Sequence, residues 1–221
     1  SDRLGIVREE VIRVIQILRE EGVLADQKDL TAHIAYDESE NRALRILAGH
    51  IEIERFLQTC VTEDDTVVNV KDLNGKAEAA GCSTCDTKKI HTLLNYWDIK
   101  HLAKRKWDDK NKAHIAAVMP PAAFAQLIEK RGDVAQKIVT CLYEKQAREG
   151  APPCDAVAFS ILELVRAFND DAGLFKKTAT AAEVEDALFY LSRIGAMKIE
   201  GGFMVVYNRL TIERKESDLR V

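Results

Sequence analysis

Two cysteines separated by two residues, Cys82 and Cys85, are the side chains of this sequence best spaced for metal chemistry. That spacing supplies half of a zinc site, which takes four thiolate or imidazole ligands. The sequence has no second pair, since His91 follows at a helical distance and Cys60 lies outside the usual spacing. Redox activity needs a thiol of lowered pKa in a thioredoxin-like context, and neither is visible. We therefore predict reduced structural or surface thiols and no metal ion.

Basic residues cluster at two places where they could neutralise phosphate groups. The first cluster lies around residues 100–112 and at the start of the preceding helix, and contains Lys88, Lys89, Lys100, Lys104, Arg105, Lys106, Lys110 and Lys112. The second contains Lys176, Lys177, Arg193, Lys198 and Arg209. Helix N-termini at Thr87 and Thr180 would add backbone donors. For any single lysine, an ordinary solvated surface charge is the competing interpretation.

An aromatic residue, Phe203, directly follows the glycine pair Gly201-Gly202. Two glycines supply the positive φ angles of a tight hairpin turn, so Phe203 could project from a hairpin tip. There it could stack on a base or wedge between base pairs. The alternative is that Phe203 packs on the core of its own unit, as most aromatic side chains do.

Catalytic patterns are absent from the sequence. It contains no GxxxxGK[ST] phosphate loop, no GxGxxG, no GxSxG and no HExxH. Its five histidines are scattered, without a cysteine or serine at a telling distance. We predict no catalytic residue and no cofactor within this chain.

The elements that position the first basic cluster follow a definite order. The apolar spacing predicts an N-terminal helix over Val7–Leu24 and a short helix from a cap at Asp29 to Ile34. The pattern then predicts a helix, a strand, two helices and two strands, at Asn41–Cys60, Thr66–Val70, Asp72–Ala80, Thr87–Ile99, His101–Trp107 and Ala113–Val118. The polar turn from Asp108 to Lys112 joins the last two strands.

The same order returns after the tandem prolines Pro120 and Pro121, which mark a boundary. Between these prolines and the repeated order, the pattern predicts two helices, one on either side of Gly132. A strand, two helices and a hairpin follow, at Ala156–Phe159, Ser160–Asn169, Ala181–Ile194, Ala196–Glu200 and Phe203–Arg209. Thr180 and Glu183 form a capping-box pattern. An offset of 94 residues aligns Leu94, Tyr96 and Lys104 with Leu188, Tyr190 and Lys198.

Helix, strand, two helices and two strands is the order of a winged helix. We therefore predict an α+β, predominantly helical chain with two winged-helix units in tandem. An N-terminal helical segment covers residues 1–40, the first unit 41–119 and the second 120–221.

Composition limits the kind of protein. The 221 residues carry a formal net charge of −4, which counts against strong autonomous binding to nucleic acid but not against a local basic face. No apolar run approaches the roughly 20 residues of a membrane span, and no signal peptide is visible. Five cysteines, an odd number, favour reduced thiols in a cytoplasmic setting.

Two stretches resemble large bacterial RecQ-type ATP-dependent DNA helicases. One is DALFYLSRIGAMKIEGGF from Asp186 to Phe203, continued by VVYNRLTIER from Val205 to Arg214. The other is LREEGVLADQKDLT from Leu18 to Thr31, which is similar to the same proteins just beyond their helicase core.

The resemblance implies a non-catalytic region downstream of two motor domains, which would bind ATP and Mg²⁺ in the parent protein. In such helicases a winged helix engages duplex DNA at the fork, and its hairpin separates the strands. Carried over, Phe203 would lie at the tip of that pin, with Lys198 and Arg209 as flanking phosphate contacts. The family's zinc subdomain uses four cysteines, whereas this chain shows only Cys82 and Cys85.

The expected function is therefore an accessory DNA-binding region of a helicase acting in DNA repair and recombination. Its partners would be double-stranded or forked DNA and the motor domains of the same polypeptide, with no membrane. The alternative is a protein-interaction scaffold without DNA contact, which the net acidity and Glu183, Glu185 and Asp186 on one helix favour. A transcriptional regulator is the third interpretation, but it expects a basic recognition helix that is not evident.

Overall fold

A computed structural model describes residues 42–148, 157–170 and 179–200, the backbone of Leu30–Ile34, and the helical residues Arg13, Val14 and Ile17. Within these ranges the protein is mixed α+β and mostly helical, so the predicted class is confirmed at that level. The described helices are α1 (Arg42–Cys60), α2 (Val70–Ala79), α3 (Thr87–Ile99), α4 (Pro121–Arg148), α5 (Ile161–Asp170) and α6 (Ala181–Arg193). The described strands are β1 (Leu30–Ile34), β2 (Thr66–Asn69), β3 (Ala103–Trp107), β4 (Lys112–Ala117), β5 (Val157–Phe159) and β6 (Met197–Glu200).

The first sheet is antiparallel, in the order β2-β4-β3. One cross-strand row joins Thr66, Ile115 and Arg105. Strand β4 alternates strictly, with Ala113, Ile115 and Ala117 buried against the helices. The alternation leaves the other face of the sheet towards solvent, as expected for a small antiparallel sheet.

The second sheet has the order β5-β1-β6, with β1 paired antiparallel on both sides. The prediction of a short helix ending at Ile34 is therefore wrong, because Leu30–Ile34 is the central strand of this sheet. Two neighbouring strands form hydrogen bonds with its backbone groups. A local signal such as the Asp29 cap cannot predict this long-range pairing. The predicted return strand, Phe203–Arg209, lies outside the described residues.

The cross-strand pairs of the second sheet correspond to those of the first. In the second sheet a row joins Val157, Ala32 and Ile199, in the same arrangement as the row through Ile115 in the first. Helix α6 begins and ends 94 residues after α3, and the caps Asp86 and Thr180 keep that offset. The structure thus extends the internal similarity from three matching residues to whole elements.

Helix α4 runs unbroken for 28 residues from Pro121, so the prediction of two helices separated at Gly132 is wrong. Gly132 is buried in the middle of α4 and faces α1. A Cβ there would lie 2.8 Å from Ile51 Cδ1, so the glycine leaves room for the Ile51 side chain of α1. Glycine weakens a helix without ending it, and packing outweighs its propensity here.

Three helix ends use the left-handed conformation that follows a C-terminal cap. Gly81 and Gly195 have φ angles of 98° and 76°, and both end their helices as predicted. His101 takes the same place after α3 with φ 55°, and lies 94 residues before Gly195. At the N-termini, the capping box of Thr180 and Glu183 is confirmed, and an Asn69 cap starts α2 at Val70, before the predicted Asp72.

One continuous hydrophobic core links elements from both predicted units. Trp97 on α3 packs against Phe124 on α4, with ring centroids 4.8 Å apart. Tyr96 on α3 meets Tyr190 on α6 edge to face at 5.0 Å. No described helix is long and apolar enough to cross a bilayer.

Candidate nucleic-acid interface

A hairpin formed by β3 and β4 carries the densest group of basic residues. Its turn is built by Asp109, whose carboxylate accepts hydrogen bonds from the backbone N–H groups of Asn111 and Lys112 at 2.7 and 2.8 Å. These bonds lower the pKa of Asp109, so the carboxylate is ionised and holds the turn at neutral pH. The hairpin is therefore a defined projection from the first sheet.

Three lysines of this hairpin, Lys104, Lys106 and Lys110, are exposed. Lys104 and Lys106 are two residues apart on β3 and so lie on its solvent-facing side. In the described part of the chain, none of these three side chains makes a hydrogen bond or an ion pair. We call Lys104, Lys106 and Lys110 the wing lysines.

Arg105 lies on the opposite side of β3, with its side chain only 12% exposed. Its guanidinium donates to Asn95 and, at 3.0 Å, to Asp98, both on α3. It also lies 5.1 Å from the ring centroid of Trp107. Although predicted as a DNA contact, Arg105 is occupied in joining the hairpin to α3.

The remaining basic residues of the first cluster differ in availability. Lys88 is exposed in the first turn of α3. Lys89 donates to the Thr84 carbonyl and lies 3.7 Å from Asp86. Lys112 lies 3.6 Å from Asp108. Among these, Lys88 is the residue whose ammonium group has no acidic neighbour in the described structure.

His114 on β4 was not predicted as part of the site. Its Nδ1 lies 2.8 Å from Asp65, and its Nε2 lies 3.2 Å from Asp108. The hydrogen bond to Asp65 is the main cause of the raised pKa of His114, and the charges of Asp65 and Asp108 add to it. Because only the imidazolium can donate from both nitrogens, the geometry favours the charged form. The sequence signal was weak, because Asp65 is far from His114 along the chain.

In the second unit Arg193 and Lys198 are engaged with neighbours, and Lys176 and Lys177 lie outside the described residues. Arg193 is exposed and lies 5.1 Å from the Phe189 ring centroid. Lys198 pairs with Glu200 at 2.6 Å. Lys100 of the first cluster pairs with Asp186 at 2.5 Å, which ties the end of α3 to α6. Phe203 and Arg209 lie outside the described residues.

The most unusual polar group is fully buried and was not predicted. Glu54 on α1 has no exposed surface and accepts hydrogen bonds from Arg131, from Trp97 at 2.7 Å and from Tyr190 at 2.9 Å. The Arg131 guanidinium carbon lies 4.1 Å from the Tyr190 ring centroid and 4.9 Å from that of Tyr96. We call these five residues the buried cluster.

Burial and the Glu54 charge set the ionisation of this cluster. Burial raises the pKa of Tyr190 well above its ordinary value, and the nearby Glu54 carboxylate adds to the effect. Burial opposes the charge on Arg131, but the carboxylate outweighs it and the pKa of Arg131 is raised. The cluster is therefore a neutralised ion pair with tyrosines kept protonated, which suits a structural role better than proton transfer.

The two cysteines of the CxxC sequence lie in the loop between α2 and α3, and both are buried. Cys82 Sγ lies 3.9 Å from the Glu52 carbonyl. Burial, and next the neighbouring Cys82, raise the pKa of Cys85 to about 11, opposite to the shift that a reactive thiolate needs. Within the described ranges no group of three or more His, Cys, Asp or Glu side chains is placed to hold a metal ion.

These contacts define the site as a basic, solvent-facing hairpin on a unit of three helices and three strands. Its charged side chains are the wing lysines, with Lys88 nearby in sequence at the start of α3. Comparison with protein-family models, curated proteins and solved structures finds no match to this chain.

Proposed function

We propose that this chain is an accessory DNA-binding region of a RecQ-type helicase, built from two tandem winged-helix units. It contacts duplex or forked DNA through the wing of the first unit, the β3–β4 hairpin. One observation carries the proposal: the wing lysines are exposed and unpaired within the described structure, whereas Arg105, Lys112 and Lys198 are held by acidic neighbours. Cations without intramolecular partners are free to neutralise phosphates.

Two further observations support the winged-helix interpretation. Strand β2 with α2 and α3 precedes the β3–β4 hairpin, which is the element order predicted for the first unit. The second sheet repeats the register of the first. Residues 186–203, 205–214 and 18–31 resemble RecQ-type helicases, and this resemblance implies that both units are attached to helicase motor domains in the parent protein.

The net negative charge of the chain fits an accessory region of a larger protein better than an independent DNA-binding protein. Three phosphate contacts give a slope of about −3 for log affinity against log salt concentration. Such binding is weak at physiological salt, but attachment to a motor on the same DNA raises the effective concentration. The parent's motor domains would supply ATP hydrolysis.

The decisive experiment compares two matched double variants. Lys104→Ala/Lys106→Ala removes two wing lysines, and Lys71→Ala/Lys76→Ala removes two exposed lysines of α2. Fluorescence anisotropy would follow binding to forked, duplex and single-stranded DNA at several salt concentrations. We expect the wing variant to weaken binding and to reduce the salt slope by about 2, since each phosphate-contacting lysine contributes about 1.

The control variant should bind as the unchanged protein does. Equal losses of DNA affinity in both variants would show that the binding is a non-specific effect of total charge. Unchanged affinity of the wing variant at low salt would exclude the wing as the contact. Arg105 is left intact in this design, because its removal would disturb the packing of the hairpin on α3.

A groove between α4 and α6 favours a second candidate, the protein-interaction scaffold. It has a volume of about 470 Å³, and Ala123, Leu127, Val134 and Ala182 contribute apolar surface. Lys130 and Glu183 form an ion pair across it. If the chain bound no DNA at low salt while a Leu127→Asp variant lost association with the motor domains, this candidate would replace the first.

A further inference from the structure

A row of residues crosses the solvent-facing side of the first sheet through His114. Its cross-strand partners are Val67 on β2 and Lys106 on β3. Val67 is 53% exposed, and Lys106 is exposed as well. Because the side chains of directly opposite residues in a sheet are neighbours, His114 lies beside one of the wing lysines.

The imidazole of His114 is held between two carboxylates. Its Nδ1 lies 2.8 Å from Asp65, which precedes β2, and its Nε2 lies 3.2 Å from Asp108 in the hairpin turn. Two lysines are also close: Lys106 on the neighbouring strand, and Lys112, which lies 3.6 Å from Asp108. On the β2 side the opposite residue is a valine, which does not titrate. His114 is therefore a group on this face whose charge changes near neutral pH.

Only the imidazolium can donate to both carboxylates, because a neutral imidazole has one N–H group. Deprotonation therefore ends one of the two hydrogen bonds and removes the positive charge between Asp65 and Asp108. Along the hairpin, Asp108 is two residues from Lys106 and two residues from Lys110. A carboxylate that has lost its cation there competes with DNA phosphates for the wing lysines.

We propose that His114 is a positioning residue of the DNA interface, whose imidazolium holds Asp65 and Asp108 so that the wing lysines stay free for phosphates. This inference rests on the proposed function and deepens it, because it makes the wing a pH-dependent phosphate contact. DNA binding is then tightest below the pKa of His114 and weakens as the pH rises through it. Since the hydrogen bond to Asp65 raises that pKa above 6.5, the change lies nearer to neutral pH.

The test measures affinity for forked DNA by fluorescence anisotropy, from about pH 5.5 to about pH 8 at constant low salt. It compares the unchanged protein with His114→Gln, which is neutral, and with His114→Arg, which is charged at every pH used. His101→Asn is the matched control, because His101 is exposed and asparagine tolerates its φ of 55°. The remaining histidines are common to all these proteins, so their titrations cancel in the comparison.

We expect the unchanged protein and His101→Asn to lose about two- to fivefold in affinity over this pH range. His114→Gln should bind with the weaker affinity at every pH, and His114→Arg with the tighter one. A residue with a merely structural role would not flatten the pH profile in both variants. An equal fall in affinity with pH in His114→Gln would overturn the proposal.

A second measurement, on the unchanged protein, separates this inference from the proposed function. The NMR titration of the His114 ring protons should give a midpoint that rises when forked DNA is bound, because proton and phosphate binding are linked. Measurable affinity that does not vary with pH, together with an unmoved midpoint, would overturn the role of His114 and leave DNA binding intact. Absence of binding at about pH 5.5 and low salt would exclude both.

Discussion

At the residue scale, His114 connects three parts of the first sheet. It extends from β4 to Asp65, just before β2, and to Asp108 in the hairpin turn, where Lys112 also approaches. Two carboxylates around one imidazole stabilise the imidazolium. The charge of the hairpin therefore depends on a histidine as well as on lysines.

His114 should make hairpin stability depend on pH. Its pKa in the folded protein is raised above 6.5, mainly by the hydrogen bond to Asp65. The stabilisation is therefore complete below about pH 6.5, the unfolded value, and is lost as pH rises through the folded pKa. We expect the difference in melting temperature between the unchanged protein and His114→Gln to be largest near pH 5.5 and to shrink towards pH 8.

The other histidines are present in both proteins, so their titrations cancel in that comparison. A direct check is the NMR titration of the His114 ring protons, which should give a midpoint above the ordinary value. A difference in melting temperature that stays constant with pH would show that His114 contributes packing rather than charge.

At the element scale, the residue that follows the end of α3 is of a type that does not favour its backbone conformation. His101 adopts φ 55° where the equivalent end of α6 has Gly195. The left-handed conformation costs a non-glycine residue about 1–2 kcal/mol, partly offset by the greater freedom of glycine in the unfolded chain. His101 is exposed, so little packing is lost when its ring is removed.

We expect His101→Gly to raise the free energy of unfolding by about 0.5–1 kcal/mol. Chemical denaturation followed by circular dichroism would measure it. The mirror variant, Gly195→Ala, should lower the same free energy by about 1 kcal/mol, because it puts a Cβ on a residue with φ 76°. Destabilisation by His101→Gly would indicate that the imidazole has a role which its exposed position does not show.

At the scale of the whole molecule, the buried cluster joins helices of both predicted units. Glu54 and Trp97 belong to the first unit, and Arg131 and Tyr190 to the second. Removing one partner of a buried ion pair leaves the other charge uncompensated in a low-dielectric interior. Glu54 is therefore one of the groups that, together with the shared hydrophobic core, link the helices of the two predicted units.

We expect Glu54→Gln to lower the free energy of unfolding by about 3–5 kcal/mol. The neighbouring residue provides a matched control, since Arg55 makes an exposed pair with Glu129 at 2.5 Å. Arg55→Met should change the free energy by less than about 1 kcal/mol. Denaturant titrations of both variants would test this, and equal effects would contradict the structural role of the cluster.

The sequence by itself determined the local elements of this protein. Apolar periodicity located α1, α3 and α6, glycines located two helix ends, and Thr180 with Glu183 specified a capping box. These features depend on interactions within a few residues along the chain, so a linear pattern contains them. The basic hairpin between β3 and β4 was predicted for the same reason.

Only the tertiary structure decided which of these residues meet. It placed Leu30–Ile34 in a sheet rather than a helix, because two distant strands satisfy its backbone. It carried α4 through Gly132, because α1 packs against that point. It also separated the free wing lysines from the occupied Arg105, and enclosed Glu54 and Arg131 together. Long-range hydrogen bonds and desolvation set these outcomes, and neither is encoded in the spacing of neighbouring residues.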